Sequence, residues 1–286
     1  MRNSIIRWTI YLSAAFIFGP FAGSLVGSLR AFDGSHNATP LLCTSPGTGL
    51  LMGLAACGIA LAVGLVAARL LGAAPGMSAA GLVLAWAAWK TGEVDQLIRT
   101  AQSATPLRML SFEGAIFGFI AVVLAFAIAL ISHHDGMDPH HVEGDKKRPA
   151  LLAGEGRASL MVLPIAFFAA AVAAWFIGIS PLKGQAVFAA IAAGVLGAAA
   201  GRLANIHIPI PMLIIPIAAL AIIGPLSGEA LASSVPGGPP AVVATAYKGA
   251  LFPLANISSL DWIAGGLLGI PLGVAWAGSM IEKKHA

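Results

Sequence analysis

Charged residues are scarce in this chain. Only 10% of its 286 residues are Asp, Glu, Lys or Arg, and its mean hydropathy is +0.88. A soluble domain carries roughly 25% charged residues, so the composition excludes an ordinary soluble protein and predicts an integral membrane protein. The net charge of +4 includes no basic cluster interleaved with aromatic residues, which excludes a nucleic-acid-binding surface.

Cysteine and the common catalytic motifs are also nearly or wholly missing. The two cysteines, Cys43 in a loop and Cys57 in an apolar run, do not form a disulfide framework. The sequence has no serine-protease elbow, no HExxH motif and no intramembrane aspartate pair. The glycines at 47–53 have the wrong spacing for a nucleotide-binding loop and follow no strand. We therefore expect a protein that is not an enzyme, has no catalytic residue and binds no cofactor.

What the chain does have is long apolar runs. Runs of about 17–25 residues, the length that crosses a bilayer core of ~30 Å, recur along it. They predict an all-α, polytopic membrane protein with about eight transmembrane helices, near residues 5–29, 49–71, 75–93, 110–132, 159–180, 184–204, 209–227 and 260–281. The third is the weakest of the eight, because its apolar part ends at Trp89 and the helix must continue to Glu93 to reach the far interface.

The N-terminal run has the basic start of a signal peptide but is longer than a signal peptide's apolar region of 7–15 residues. We interpret it as a retained first helix. The positive-inside rule then places both termini in the cytoplasm and the chain in the cell membrane, with ten Lys and Arg residues inside and six outside. The six outside are Arg30, Lys90, Arg99, Arg108, Lys183 and Lys248.

A long polar segment, residues 133–158, divides the apolar runs into two sets of four. The sequence is accordingly divided into a first half (1–132), a cytoplasmic linker (133–158) and a second half (159–286). Matching landmarks suggest an internal repeat: Arg69 and Arg202, Glu93 and Glu229, and Glu113 and Asp261. Because four is an even number, two such halves would be parallel repeats.

The linker contains four histidines among acidic residues, but their spacing fits neither a zinc finger nor a calcium loop. We favour a solvated linker over a metal site, so no metal ligand is assigned.

Four acids at the outer ends of the spans are the candidate site residues, as an outer vestibule or as members of polar pairs. Glu113 and Asp261 each follow a serine at a predicted helix start, where an acid complements the helix dipole. Residues 258–261 also have the pattern of a capping box. Glu93 and Glu229 are placed at helix C-termini, where the dipole disfavours an anion, so a partner such as Arg99, Arg108 or Lys248 is expected.

Proline and small residues shape the predicted helices. Pro216 and Pro271 fall inside spans seven and eight and are predicted to kink them. Glycine and alanine recur every four residues in several spans and predict close helix packing. These stripes are Gly19/Gly23/Gly27, Ala56/Ala60/Gly64/Ala68, Ala189/Ala193/Gly197/Gly201 and Gly265/Gly269/Gly273/Ala277.

Two outer segments are too short to span the membrane. Residues 94–101 have the apolar face of an interfacial helix. Residues 235–258 start with a proline-glycine break and are interpreted as a possible re-entrant segment.

These features leave three function hypotheses open. The first is a permease or channel-like transporter for a neutral or weakly charged solute, which requires a cavity between spans three, four, seven and eight. No span has a charge near its middle, which argues against a proton-coupled pump. The second is an accessory or assembly subunit that packs on partner membrane subunits, or on a second copy, through an exposed Gly/Ala face. The third, a lipid enzyme using the outer acids, has no distinguishing motif. All three place the chain in a lipid bilayer.

Overall fold

The structure is a computed structural model that describes residues 2–134, 156–234 and 239–282. Eleven α-helices and no strands occur in this part of the chain. They are α1 (Arg2–Ser13), α2 (Gly19–Gly27), α3 (Pro46–Leu71), α4 (Ala73–Trp89), α5 (Val94–Ala101), α6 (Thr105–His134), α7 (Gly156–Ile177), α8 (Lys183–Ala204), α9 (Ile214–Ser233), α10 (Pro239–Tyr247) and α11 (Ser259–Glu282). Most of the predicted linker, including His140 and His141, lies outside the described residues.

The first span is one long helix with a widened turn. The turn at Ala14–Phe18 is π-helical and joins α1 to α2. Pro20 follows it at the start of α2. Proline lacks the N–H that an α-helix would bond to the preceding turn, and a single π turn accommodates such an interruption within a helix.

Seven helices are long and apolar enough to cross a membrane in the described ranges: Ser4–Gly27, Pro46–Leu71, Thr105–Ser132, Leu160–Ile177, Lys183–Ala204, Ile210–Leu231 and Ser259–Ile281. They coincide with seven of the eight predicted spans, and the chain is an all-α polytopic membrane protein. The count of eight stays a prediction, because the remaining helix, α4, has only 17 residues.

Helix α4 lies at the centre of the bundle, where α2, α3 and α11 pack around it. Its alanines and glycines are buried on more than one side. At 1.5 Å per residue it is about 25 Å long. The expectation that it continues to Glu93 is wrong, since the helix ends at Trp89 and Lys90 is its C-cap residue. At its other end Gly72, with a φ of 98°, separates α3 from α4, a backbone conformation that favours glycine.

The small-residue stripes lie between helices, as predicted. A Cβ at Gly23 would lie 3.1 Å from the backbone oxygen of Trp86. One at Gly269 would overlap the backbone oxygen of Ile191. Ala56, Ala60, Ala68, Ala189 and Ala193 are fully buried. Close backbone approach at such residues is what holds membrane helices together, and here these stripes serve contacts within the chain.

The two predicted halves are interleaved. Helix α6 of the first half packs along α9, and α11 of the second half packs along α8 and α4. The matched landmarks have unequal positions, because Glu113 is the ninth residue of α6 whereas Asp261 is the third of α11. Arg69 and Arg202 do match, each two residues before its helix ends. The internal repeat and the domain division stay predictions.

The predicted kink at Pro216 is not where span seven is interrupted. A 3-10 turn at Ile210–Leu213 comes first, and α9 then begins at Ile214. Pro216 therefore occupies the first turn of α9, where a missing N–H breaks no helical hydrogen bond. The proline inside α9 is Pro225. Pro271 does lie inside α11, and a bend there stays a prediction.

Candidate functional site

The polar side chains of interest gather at one end of the bundle, which we call the outer end after the predicted orientation. It is built from residues 28–45, the segment from Lys90 through α5 to the start of α6, residues 178–183 and residues 239–261. Hydrogen bonds between these segments connect parts of the chain that are far apart in sequence.

Glu113 is the most enclosed acid of this end. It is fully buried. Its Oε2 accepts hydrogen bonds from the Thr39 hydroxyl at 2.7 Å and from the Leu41 backbone N–H at 2.8 Å. Its Oε1 accepts a hydrogen bond from the Ser259 hydroxyl. The carboxylate thereby links the first loop, α6 and the start of α11.

Glu113 is therefore not the helix-start acid that the sequence predicts. Helix α6 begins at Thr105, so Glu113 lies about two turns inside it. The proposed N-cap, Ser111, instead donates its hydroxyl hydrogen to the backbone oxygen of Ile222 in α9. Residues 105–109, which include Pro106 and Arg108, extend the helix beyond the predicted start of the span and place the acid inside the protein.

Asp261 does start its helix in the predicted way. The backbone N–H of Ser258 donates to Asp261 Oδ2 at 2.9 Å, and Asp261 N–H points back to the Ser258 hydroxyl at 3.4 Å. This reciprocal pair is the capping box that the sequence predicts.

Asp261 also has a cationic partner that sequence reasoning missed. Lys183 Nζ lies 2.7 Å from Asp261 Oδ2 and 2.6 Å from the Thr91 hydroxyl. The Lys183 side chain is 12% exposed and that of Asp261 is 1% exposed. The pair joins the starts of α8 and α11 to the end of α4. The other carboxylate oxygen, Oδ1, is buried and has no hydrogen-bond partner in the described part of the chain.

Glu229 has the kind of partner that was predicted for it. Arg108 Nε lies 2.6 Å from Glu229 Oε1. The acid is not at the very end of its helix, because α9 continues to Ser233. The Arg108 side chain is 74% exposed, and such exposed pairs contribute at most about 1 kcal/mol.

Glu93 differs from the other three acids. It is the N-cap residue of α5, not the end of α4. Asn37 fixes its backbone, accepting from the Glu93 N–H at 2.7 Å. Its carboxylate accepts from Gln96 Nε2 at 2.5 Å and from the Lys183 backbone N–H at 3.4 Å. No Lys, Arg or His side chain of residues 2–134, 156–234 or 239–282 forms an ion pair with it.

Helices α5 and α10 form a second apolar cluster at the outer end. Val94 and Ile98 of α5 are buried with Val242 and Ala246 of α10. Arg99 donates to the backbone oxygen of Ala246 at 2.7 Å. The predicted amphipathic helix is thus present, and its apolar face packs on protein.

Asp95, on the same helix, gives a pH-dependent prediction. It is 3% exposed and lies 2.7 Å from Arg99. Burial raises the pKa of its carboxyl above the ordinary 3.8, and the Arg99 charge offsets part of this rise. The Asp95 carboxyl therefore binds its proton more tightly in the folded protein than in the unfolded chain. The free energy of unfolding falls as the pH rises from the unfolded pKa of this carboxyl through its folded pKa.

We expect Asp95→Asn to raise the melting temperature at pH 7, and we expect this gain to shrink as the pH is lowered and the native carboxyl becomes protonated. Thermal unfolding of the purified protein, measured at pH 7 and at a series of lower pH values, tests this. Asp33→Asn is the control, because hydrogen bonds to Ser35 lower the pKa of that exposed carboxyl, and its loss should give no stabilisation. An Asp95→Asn protein that melts lower at pH 7 than the wild type would contradict the prediction.

A cavity of about 860 Å³ opens at the outer end. We call it the outer cavity. Its lining includes Pro20, Gly23 and Gly27 of α2, Trp86 and Trp89 of α4, and Lys183 at the start of α8. The polar residues His36, Asn37, Lys90 and Glu93 line it as well. It extends over about 10 Å of α2, the rise from Pro20 to Gly27.

This is not the location that was predicted for a transport cavity. The outer cavity shares α4 with the predicted set but is otherwise lined by α2, the first loop, the segment from Lys90 into α5, and the start of α8. Between α4, α6, α9 and α11 the helices are in close contact. A Cβ at Gly81 would lie 2.8 Å from Leu268, and one at Gly266 would lie 2.8 Å from Ile217.

Metal binding was tested in the same way. Across the described ranges no group of three or more His, Cys, Asp or Glu residues could hold a metal ion. The histidines at 140 and 141 lie outside those ranges.

The fold and the outer end define a polytopic helical membrane protein with a cavity at one membrane face. Compared with protein-family models, with curated proteins and with solved structures, the chain gives no significant match.

Proposed function

We propose that this membrane protein is a permease that takes up a small neutral or weakly charged solute through the outer cavity. The observation that carries the proposal is the cavity itself, whose lining contains polar and charged side chains and includes Lys183 of the second predicted half beside residues of the first. Its volume lies within the range of small-molecule sites, about 300–1,000 Å³.

The state described is closed below the cavity. Transport therefore requires the helices beneath it to separate, which would give an alternation between an outward-open and an inward-open arrangement. The Lys183–Asp261 pair connects α8, α11 and the end of α4. A separation of these helices would therefore change the contacts of this pair. In the predicted orientation the cavity faces the outside of the cell membrane.

Uptake into proteoliposomes tests the proposal. The panel contains an uncharged polyol, a zwitterionic amino acid, a carboxylate and a quaternary amine, each radiolabelled. At least one net-neutral solute is expected to equilibrate faster than in protein-free liposomes. Ser28→Trp, which places a large side chain at the cavity wall, is expected to slow that flux at least tenfold.

Ser279→Trp is the matched control, because Ser279 is an exposed serine near the opposite end of the bundle. Its flux should equal that of the wild type. If every solute crosses at the rate of protein-free liposomes, or if Ser28→Trp changes nothing, the permease proposal fails.

The close packing of α4, α6, α9 and α11 favours a second candidate, an accessory subunit that does not transport. The four predicted Gly/Ala stripes do not supply its docking face, since they pack within the chain. An accessory subunit should co-purify from native membranes with a membrane partner in fixed ratio, or as a homo-oligomer. Recovery as a monomer with transport activity would exclude it.

A further inference from the structure

The charges of the outer cavity identify a class of ligand. Lys90 and Glu93 both line this cavity. They lie on the short turn between α4 and α5, where Lys90 is the C-cap residue of α4 and Glu93 the N-cap residue of α5. Both positions are at helix ends, so the backbone of each residue is held by an ordered helix.

Within the described ranges, neither Lys90 nor Glu93 forms an ion pair, either with each other or with a third residue. The Glu93 carboxylate has only the Gln96 amide and a long contact to the Lys183 N–H. Of the other acids at this end, Asp95, Glu229 and Asp261 have a cationic partner, Glu113 is enclosed by three donors, and Asp33, which does not line the cavity, is exposed and accepts from the Ser35 N–H.

Lys183, which also lines the cavity, is not free to bind a ligand's acidic group. The Lys183 ammonium already contacts Asp261, Thr91 and Ser258. The charges left for a ligand are therefore one cation and one anion, and their sum is zero.

Aromatic rings complete the site. Trp86 and Trp89 line the cavity near the two charges, and the Trp89 side chain is partly exposed. An indole ring attracts a cationic group placed over its face, and quaternary ammonium groups are bound in this way.

We propose that the outer cavity binds a zwitterion, with its acidic group at Lys90 and its ammonium group at Glu93 and the tryptophans. The inference rests on the proposed function in that it takes the same cavity as the solute site. A net-neutral zwitterion also satisfies the sequence-based expectation of a neutral or weakly charged solute. Two sources share this chemistry: a free small zwitterion and the headgroup of a zwitterionic phospholipid.

Binding to the full-length protein tests the proposal without any transport. The protein is purified in dodecyl maltoside, which has no charge and so does not compete. Glycine betaine, acetate and tetramethylammonium are titrated while tryptophan fluorescence is recorded. Glycine betaine is expected to bind at least tenfold more tightly than either singly charged half of the molecule.

Variants assign the binding to the two charges. Lys90→Gln and Glu93→Gln should each weaken glycine betaine binding at least tenfold, and size-exclusion chromatography checks their folding. Lys248→Gln, at an exposed lysine that does not line the cavity, should bind like the wild type. Equal affinity for the three probes, or unchanged affinity in both cavity variants, overturns the proposal.

A comparison with a short-chain phospholipid distinguishes a lipid headgroup from a free zwitterion as the ligand. Dihexanoylphosphatidylcholine, used below its micelle concentration, is compared with glycine betaine. Tighter binding of the lipid assigns the cavity to a phospholipid headgroup, and tighter binding of glycine betaine assigns it to a free solute. Zwitterion binding without uptake would reject the permease proposal and support the zwitterion site. Uptake of an uncharged polyol without zwitterion binding would support the permease proposal and reject the zwitterion site.

Discussion

Glu113→Ala is expected to lower the free energy of unfolding by about 3 kcal/mol or more. The substitution removes the acceptor of three donors: the Thr39 hydroxyl, the Leu41 N–H and the Ser259 hydroxyl. A buried donor left without a partner costs about 1–3 kcal/mol, and all three lie in a fully buried environment. Folding titrations in mixed micelles, or the melting temperature in maltoside, measure the loss.

Glu113→Gln separates the loss of the acceptor from the loss of the charge. The glutamine carbonyl can accept from Thr39 and Leu41, and its amide can donate to the Ser259 oxygen, which is an acceptor as well as a donor. We therefore expect this variant to stay within about 1 kcal/mol of the wild type. If glutamine is as damaging as alanine, the carboxylate's charge and not its hydrogen bonding stabilises the outer end. Wild-type stability in Glu113→Ala would show that the three contacts contribute nothing.

Lys183→Met has the second large expected effect. It leaves Asp261 buried beside a hydrophobic side chain, with only the Ser258 contacts remaining. Breaking a buried ion pair on one side typically costs about 3–5 kcal/mol. The double variant Lys183→Met/Asp261→Asn removes the uncompensated charge and is expected to recover a large part of the loss.

A double-mutant cycle on the unfolding free energies measures the coupling between Lys183 and Asp261. Lys248→Met is the control, because Lys248 is exposed at the same end of the bundle and belongs to no ion pair within the described ranges. Lys248→Met should change the free energy of unfolding only slightly. Additive single effects in the cycle would mean that the two side chains do not stabilise each other.

How much of this site could be predicted from the sequence depended on the range of the interaction. The capping box at Ser258 and Asp261 is local, and its pattern alone predicts it. A cationic partner for Glu229 was expected because a helix C-terminus disfavours an anion, and Arg108 is one of the three candidates that the sequence analysis names. The spans were predicted because bilayer thickness sets their length.

The burial of Glu113 could not be predicted in the same way. Its partner Thr39 is 74 residues away and lies in a loop without a regular pattern. The predicted start of α6 is too late, because residues 105–109, which contain a proline and an arginine, belong to the helix as well. Lys183 had one available signal, since it is a single cation at a helix start that the dipole disfavours. The same reasoning that singled out Glu93 and Glu229 would have found it.

The link from Glu113 to both Thr39 and Ser259 has a consequence for synthesis in the cell. Ser259 is the first residue of the last helix, whereas Thr39 belongs to the first loop. While the ribosome is still making the chain, the early helices can insert, but the outer end cannot close. Until α11 is synthesised, Glu113 lacks the Ser259 hydroxyl, one of its three donors. Lys183 likewise lacks Asp261, its partner in the ion pair. The final segment therefore acts as the closing step of assembly, and a nascent chain stalled before it should remain sensitive to proteases at the outer face.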